Sequence, residues 1–247
     1  MRRGTLEGIV LKSKNHGEGD KIIHIFSKKR GVVKFVAKGV RKITSRRLGS
    51  LDLLNQIVFS FHESSTFPYL TEVKLLNSFS SLKEKLNRVS YGYTVLELLD
   101  KFLLYEEENE NVYEFTVSIL SILNQNLSEE KRKQALIYFK LKLLSMLGFD
   151  PVLDFCQQCL RDFDSSWKKI GFSAAQGGIV CESCGNESRE ISIGVLNLFK
   201  DIKRFSLKGY MQISYYQGLL SAADEILTYY TEYNLDSPIR SERIFNV

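Results

Sequence analysis

The sequence predicts an α+β multidomain protein, with an N-terminal five-stranded β barrel and a C-terminal all-α helical domain that carries an inserted four-cysteine zinc ribbon. Three observations predict this fold class. Up to residue 80 the apolar residues alternate as in strands, and after it they recur at helical spacing. Between two groups of helical segments, four cysteines form two C-x2-C motifs. A chain of 247 residues that is 44% hydrophobic can bury such cores.

Five short runs rich in Val, Ile, Phe and Thr are predicted to form the barrel strands. They are Leu6–Leu11, Lys21–Phe26, Val32–Ala37, Gln56–Phe61 and Tyr69–Leu76. In the fourth run Ile57, Phe59 and Phe61 fall on one face, as in a half-buried strand. Lys34 alternates with apolar neighbours in the third run, so pleating is predicted to place cations outside the barrel.

Helical periodicity begins at Leu82 and predicts five helices. The apolar stripe of the first helix is Leu86, Val89, Tyr93, Leu96 and Leu99, which we interpret as core. The third helix has Ser128 as its N-cap and Gly148 just past its end. The predicted domains are residues 1–80 for the barrel, 81–150 for the first helical part, 151–190 for the ribbon and 191–247 for the second helical part.

All four cysteines belong to one metal-binding pattern, formed by Cys156, Cys159, Cys181 and Cys184. Each C-x2-C turn directs two thiolates at one point, and two such turns complete a tetrahedral zinc shell. A catalytic zinc needs an open position for water, so four cysteines predict one structural Zn²⁺ ion. A redox pair or disulfides are the alternatives.

Positive charge is concentrated near the N-terminus. Between Lys21 and Arg47 there are ten basic residues and no acidic ones. The first 47 residues hold fourteen of the 34 basic residues and three of the 29 acidic ones, so their formal charge is near +11 and that of the remainder near −6. Charge of one sign on a folded surface predicts an anionic partner.

The sequence contains no motif of a familiar enzyme class. The patterns H-E-x-x-H, G-x-S-x-G and G-x-x-x-x-G-K-[ST] are absent, and the three histidines His16, His24 and His62 are isolated. The acidic residues within 106–110 leave a metal-dependent nuclease as one alternative, although a solvated connection between helices explains them more simply. A zinc-ribbon protein that binds RNA or regulates transcription is a second alternative.

No export signal is recognisable, because polar residues follow the first basic ones where an apolar run is needed. No run of about 18 apolar residues is present either. We therefore expect a cytoplasmic protein, associated with the nucleoid, whose cysteines are reduced.

The order of barrel, helices, ribbon and helices resembles the RecO family of bacterial recombination mediators over essentially the whole chain. The stretches most similar to that family are Gly8–Leu11, Gly31–Lys34, Ala37–Lys42 with Ser45–Arg47, and Leu147–Pro151. An Ala-Lys-Gly motif followed by basic residues is moderately specific alone. Together with the ribbon spacing at the right distance, it becomes a strong signal.

The resemblance implies an N-terminal OB-fold that binds single- and double-stranded DNA without sequence preference, and it implies no catalytic centre. It further implies annealing of complementary strands and binding of the C-terminal tail of single-strand-binding protein. RecR and, in many bacteria, RecF would be the partners in loading RecA. Some members of the family lack the cysteines, so the zinc site rests on the spacing in this sequence.

Cations on such a barrel would bind phosphates by releasing condensed counterions. Phe67 and Tyr69, beside a proline, are the candidates for stacking on bases. The predicted DNA-binding residues are Lys28, Arg30, Lys34, Lys38, Arg41, Lys42, Arg46 and Arg47. A solvated, flexible loop at residues 39–50 is the alternative.

A second basic cluster is predicted on and after the fourth helix. Its members are Lys200, Lys203, Arg204 and Lys208. Cations beside an apolar groove suit an acidic peptide, so this cluster is the predicted docking site for the tail of single-strand-binding protein. Ordinary cations at a helix C-terminus are the alternative.

Overall fold

The computed structural model describes residues 3–42, 45, 47–64, 67–164 and 166–241. They pack as two compact units. The first unit contains the described residues up to Asn126 together with Arg240 and Ser241, and the second contains Leu127–Ile239. The four-part division along the sequence remains a prediction, since these units reflect packing alone.

The first unit contains a closed five-stranded barrel with the strand order β1-β2-β3-β5-β4. The strands are β1 (Arg3–His16), β2 (Asp20–Ser27), β3 (Gly31–Ala37), β4 (Gln56–His62) and β5 (Tyr69–Asn77). All neighbours are antiparallel except β3 and β5, which meet in parallel at Val36 and Tyr69. This closed arrangement is the predicted OB-fold. The first strand is longer than predicted because it pairs with β4 through one half and with β2 through the other.

The barrel interior follows the predicted alternation. Ile57, Phe59 and Phe61 are buried, and the rings of Phe35 and Phe59 meet edge to face with centroids 5.0 Å apart. Lys34 is half-buried on the outer face of β3. The core therefore lies inside the barrel, and the polar side chains of β3 and β4 are left for the outer surface.

Three helices complete the first unit: α1 (Ser80–Lys83), α2 (Leu86–Phe102) and α3 (Glu110–Leu123). The backbone N–H of Val112 donates to the Asn109 side chain, which caps α3. The predicted core stripe is wrong at Leu86, which is 72% exposed at the start of α2, and at Tyr93, which is 36% exposed. The buried face of α2 is displaced from them and includes Val95, Leu98 and Leu99.

The second unit combines helices with a small sheet. Its helices are α4 (Glu129–Met146), α5 (Ile193–Arg204), α6 (Leu207–Gln212) and α7 (Gln217–Leu235). Between α4 and α5 the chain forms a sheet in the order β7-β6-β8, with β6 (Ile170–Ser173), β7 (Gly178–Cys181) and β8 (Arg189–Ile191). The four-cysteine element is therefore an insertion between helices, as predicted.

Both predicted ends of the third helix, which is α4 in the structure, are confirmed. The Ser128 side chain accepts from the Lys131 backbone N–H at the start of α4, and Gly148 has a φ of +86° after its end. The short helix α6 was not predicted, and it contains Lys208. In the part of the chain that is described, no helix combines the length and the apolar character needed to cross a membrane.

Candidate nucleic-acid interface and metal centre

Four cysteine thiols converge in the second unit. The Sγ atoms of Cys156, Cys159, Cys181 and Cys184 all lie within 4.8 Å of one another, and those of Cys159 and Cys181 are 3.8 Å apart. A tetrahedral shell with metal–sulfur bonds of about 2.3 Å places its sulfurs about 3.8 Å apart. None of the four cysteines forms a disulfide. The cluster therefore has the spacing and the free thiols to hold a metal ion.

The thiols are held by tight turns and by backbone amides. The backbone N–H of Leu160 donates to the Cys156 carbonyl, and that of Cys184 donates to the Cys181 carbonyl. Burial raises the pKa of the Cys156 thiol. Hydrogen bonds from backbone amides outweigh burial, so the pKa is lowered overall, to about 6. The Cys181 sulfur raises the pKa of Cys184 to about 12. Neighbouring thiolates repel one another, and a bound cation would compensate their negative charge and so relieve the repulsion.

Three predicted DNA-binding cations lie on the connection that follows β3. Lys38, Arg41 and Lys42 are exposed, and we call them the loop cations. Among the residues that the structure describes, none of the loop cations forms an ion pair with a carboxylate. The nearby Asp20 side chain accepts the backbone N–H of Gly39. The positive charge of the loop cations is therefore available to a ligand.

Backbone contacts hold this loop against the β1–β2 turn. The backbone N–H of Arg41 donates to the Gly19 carbonyl over 2.9 Å, and its guanidinium donates to the Gly17 carbonyl over 3.2 Å. These contacts attach residues 39–42 to the β1–β2 turn, while a flexible loop over residues 39–50 stays an alternative prediction.

Arg47 has a different place from the loop cations. Its guanidinium donates to the carbonyl oxygens of Leu70, Thr71 and Lys38, over 3.0, 3.3 and 2.7 Å. These contacts join the loop to β5 near the point where β3 and β5 pair only once. Arg47 thus helps to hold the barrel closed. Arg46, which was predicted beside it, lies outside the described residues.

A row of outward side chains crosses the barrel next to the loop cations. The cross-strand partners Lys14, Ile22, Val36, Tyr69 and His62 follow one another from β1 through β2, β3 and β5 to β4. The rings of Tyr69 and His62 are stacked, with centroids 5.3 Å apart and an angle of 5°.

The Lys38 ammonium lies 4.6 Å from the centroid of the Tyr69 ring. Tyr69, which was predicted as a stacking residue, is half-exposed, and its ring already contacts the His62 ring and the Lys38 ammonium. Phe67, the other candidate, is 49% exposed.

Two other predicted cations, at the β2–β3 turn, are paired with carboxylates within the same unit. Lys28 Nζ lies 2.5 Å from Glu114 and 3.3 Å from Glu110, both on α3. Arg30 donates to Glu63 over 2.5 Å and to Glu106 over 2.8 Å. We call Lys28 and Arg30 the turn cations.

The pairing is reflected in the pKa values of both groups. The hydrogen bond to Glu114 raises the pKa of Lys28. Burial lowers the pKa of Arg30, but the hydrogen bonds to Glu63 and Glu106 outweigh it and raise the pKa overall.

Lys34 lies between these two groups of cations on the outer face of β3. Its ammonium is 4.2 Å from the centroid of the Tyr105 ring. The Tyr105 hydroxyl is 3.3 Å from His24 Nδ1, and the same nitrogen is 3.3 Å from Asp100 Oδ1. Asp100 also pairs with Lys12 over 3.6 Å, and its pKa is lowered, first by the His24 hydrogen bond. This part of the strand face is therefore covered by residues of the same unit.

The second predicted cluster lies beside a surface cavity of about 710 Å³ in the second unit, lined by residues that include Leu153, Asp154, Lys200, Lys203 and Arg204. Lys200 pairs with Asp154 over 2.8 Å, and Lys203 pairs with Asp150 over 2.8 Å. The positive charge of this second cluster is therefore partly compensated by carboxylates. Lys208 does not line this cavity.

Comparison with known proteins identifies the family. Residues 1–79 match the profile of the recombination protein O N-terminal domain, and residues 83–243 match that of its C-terminal domain. This chain belongs to the recombination protein O family.

Relatives named DNA repair protein RecO include one from Desulforamulus reducens, 29% identical over 98% of this chain and 93% of its own length. One from Caldanaerobacter subterraneus is 28% identical over 98% of this chain and 97% of its own length. A third, from Listeria monocytogenes serotype 4b, is 30% identical over 74% of this chain and 69% of its own length.

Within this RecO-family chain, the structure adds residues that sequence reasoning missed. Glu63, Glu106 and Glu114 hold the turn cations, and Tyr105 covers Lys34. The acidic run was visible in the sequence, but its partners lie about 76 positions earlier in the chain. Charge complementarity between the run and the basic stretch was the one signal that could have indicated the contact.

Proposed function

We propose that this chain is a non-catalytic mediator of DNA recombination and repair, which binds single- and double-stranded DNA without sequence preference. The observation that carries the proposal is the set of loop cations without carboxylate partners in the described structure, on the outside of an OB-fold barrel. Phosphates would neutralise these cations and release condensed counterions, which gives affinity that depends on salt and not on base sequence.

Single strands would gain a further contact from the aromatic pair beside the loop. Tyr69 and His62 are already stacked, and Lys38 lies over the Tyr69 ring. An unpaired base could take the place of the Lys38 ammonium over that ring, while the lysine moves to a phosphate. A duplex keeps its bases stacked inside, so it would use the loop cations without this contact.

The proposed role in recombination is to anneal complementary strands and to help RecA load onto DNA coated with single-strand-binding protein. RecR would be a partner, as would RecF where it is present. The acidic tail of single-strand-binding protein would dock at Lys200, Lys203, Arg204 and Lys208. The cavity beside the first three supports that site, although the tail would compete with Asp150 and Asp154 for Lys203 and Lys200.

We propose that the four cysteines hold one structural Zn²⁺ ion. Four thiolates at tetrahedral spacing suit zinc and leave no position for a reacting water. The purified protein should contain about one zinc per chain by elemental analysis, and Cys181→Ser should lose the metal and lower the melting temperature of the second unit. A metal-free protein that melts at the same temperature would contradict the assignment.

No observation favours the nuclease alternative. Glu106 and Glu110 pair with cations, and within the described residues the cysteines are the single group of three or more candidate ligands close enough to share a metal. Incubation of the purified protein with DNA and Mg²⁺ or Mn²⁺ should therefore produce no cleavage.

The test of the proposed function is annealing of complementary DNA strands coated with single-strand-binding protein, with and without this chain. We expect acceleration with strands of unrelated sequences, and less of it as salt increases. RNA oligomers and a set of unrelated duplexes serve as competitors. Absence of acceleration, or a preference for RNA or for one duplex sequence, would contradict the proposal.

A further inference from the structure

The acidic segment, residues 104–110, lies directly on the basic turn of the barrel. The backbone N–H of Glu106 donates to the Val32 carbonyl over 3.0 Å, and Tyr105 forms a parallel bridge with Val32. A Cβ on Gly31 would come within 2.0 Å of the Glu107 carbonyl oxygen, which shows how closely the segment approaches β3.

Carboxylates occupy the positions that phosphates would take on the turn cations. Lys28 and Arg30 each contact two carboxylates, from Glu110 and Glu114 and from Glu63 and Glu106 respectively. Carboxylate and phosphate oxygens bind guanidinium and ammonium groups in the same way.

Little apolar surface secures the segment. Leu104 is 67% exposed and Tyr105 is 49% exposed. Glu106 has a φ of +61°, a conformation that is unfavourable for a residue other than glycine. A segment with exposed apolar side chains and a strained residue opens at low free-energy cost. Polar contacts therefore supply most of its attachment to the barrel.

The turn cations lie on the same barrel surface as the loop cations, at the other end of β3. Lys34 and Lys38 are four residues apart along and just after β3, a spacing of about 13 Å in an extended strand. Arg30 immediately precedes β3 at its other end. A strand of DNA bound to the loop cations therefore meets Lys34 and then the turn cations if it continues along β3.

We propose that the carboxylates of the acidic segment, together with Glu63 and with Glu114 of α3, are an intramolecular phosphate mimic, which masks a second part of the DNA site until a long single strand displaces them from Lys28 and Arg30. This proposal rests on the proposed function, since it needs DNA at the loop cations. A short strand would bind at the loop alone. A longer one would replace Glu110 and Glu114 on Lys28, and Glu63 and Glu106 on Arg30, with its phosphates making the same contacts.

The test compares two charge-matched variants by titration with oligo-dT of about 4 and about 16 nucleotides, the range of site sizes for one OB-fold. Glu106→Gln with Glu114→Gln removes one carboxylate from each turn cation. Glu107→Gln with Glu108→Gln removes the same amount of charge from two positions of the acidic segment at which no contact with a cation is found among the described residues.

We expect the first variant to bind the long oligomer about tenfold more tightly than the wild type, because the strand has one carboxylate fewer to displace from each turn cation. The control should gain less than about twofold, which is ordinary long-range attraction. Neither should gain on the short oligomer. Equal gains in both variants, or a gain that ignores length, would overturn the proposal.

A combined variant separates masking from other effects. Adding Lys28→Gln and Arg30→Gln to the first variant should remove its gain on the long oligomer. Retention of the gain would also overturn the proposal, as would tighter binding of an acidic peptide without tighter binding of DNA. If the wild type binds no DNA at all, the proposed function fails. If it binds DNA and the two charge-matched variants behave alike, only the masking is excluded.

Discussion

The loop cations and the turn cations belong to one basic stretch of sequence but have opposite surroundings in the folded barrel. Lys38, Arg41 and Lys42 have no carboxylate partner among the described residues, whereas Lys28 and Arg30 each have two. The difference comes from tertiary structure, because the carboxylates of Glu63, of the acidic segment and of α3 contact the cations of the β2–β3 turn and none of the loop cations among the described residues. A run of positive charge therefore indicates a binding surface only where the fold leaves it uncompensated.

The largest difference between the two groups of cations is expected when each group is neutralised separately. Replacing Lys38, Arg41 and Lys42 with Ala should weaken binding to a short single strand about 100-fold at low salt, and should lower the salt slope by about two units. Lys28→Gln with Arg30→Gln removes both turn cations for comparison and should change short-strand affinity less than twofold. Binding is measured by fluorescence anisotropy over a range of salt concentrations. Equal losses in both variants would show that the two groups are equivalent.

A second prediction compares glycines at the two places. Gly31 and Gly17 have φ values of +61° and +56°, so alanine strains the backbone at either position. A Cβ at Gly17 meets nothing within 4 Å, whereas one at Gly31 meets the Glu107 carbonyl oxygen at 2.0 Å. We expect Gly17→Ala to cost about 1 kcal/mol of unfolding free energy.

Gly31→Ala should cost about 2 kcal/mol more than Gly17→Ala, because the acidic segment must also move away. Urea unfolding measures both values. Similar costs for the two variants would mean that the acidic segment is not held against the turn.

The fold was predictable to a greater extent than the site. Alternation at Ile57, Phe59 and Phe61 identified β4 and its inward face, and Ser128 identified the start of α4, because these signals are local. The two C-x2-C motifs likewise predicted that four thiols meet, and the four Sγ atoms do lie close together. The contacts of Lys28 and Arg30 depend on residues up to 86 positions away, which no local pattern contains.

Arg47 shows the same limit. In the sequence it is one more cation in a basic loop, while in the structure its guanidinium satisfies the carbonyl oxygens of Leu70, Thr71 and Lys38. The need for such a group arises from the single parallel pair between β3 and β5, which is a property of the closed barrel.

At the loop cations, contacts with phosphates can be distinguished from contacts with bases. Tyr69→Leu keeps an apolar side chain but removes the ring beside His62 and Lys38. Affinity for oligo-dT should fall about tenfold, in line with about 1–3 kcal/mol per stacked base. Affinity for an abasic oligomer of equal length, and for a duplex, should stay within twofold. A parallel loss on the abasic oligomer would assign Tyr69 to barrel structure.

The smallest effect is expected at Asp100, which contacts Lys12 and His24 close to the Tyr105 ring that covers Lys34. The folded-state pKa of Asp100 is depressed, first by the His24 hydrogen bond, so its contribution to stability is present above its unfolded pKa of about 4 and is lost as pH falls below that value. Asp100→Asn should lower the unfolding free energy at pH 7 by at most about 1 kcal/mol, because the pair is partly exposed to solvent.

The difference between wild type and Asp100→Asn should shrink as the pH is lowered from 5 to about 3, when measured by urea unfolding. Short-strand affinity at pH 7 should not change, since the loop cations make no contact with Asp100 in the described structure. If the substitution alters DNA binding as strongly as it alters stability, the strand face that Tyr105 covers is already part of the resting DNA site. Lys34 would then belong with the loop cations that DNA reaches directly, and only Lys28 and Arg30 would be masked by carboxylates.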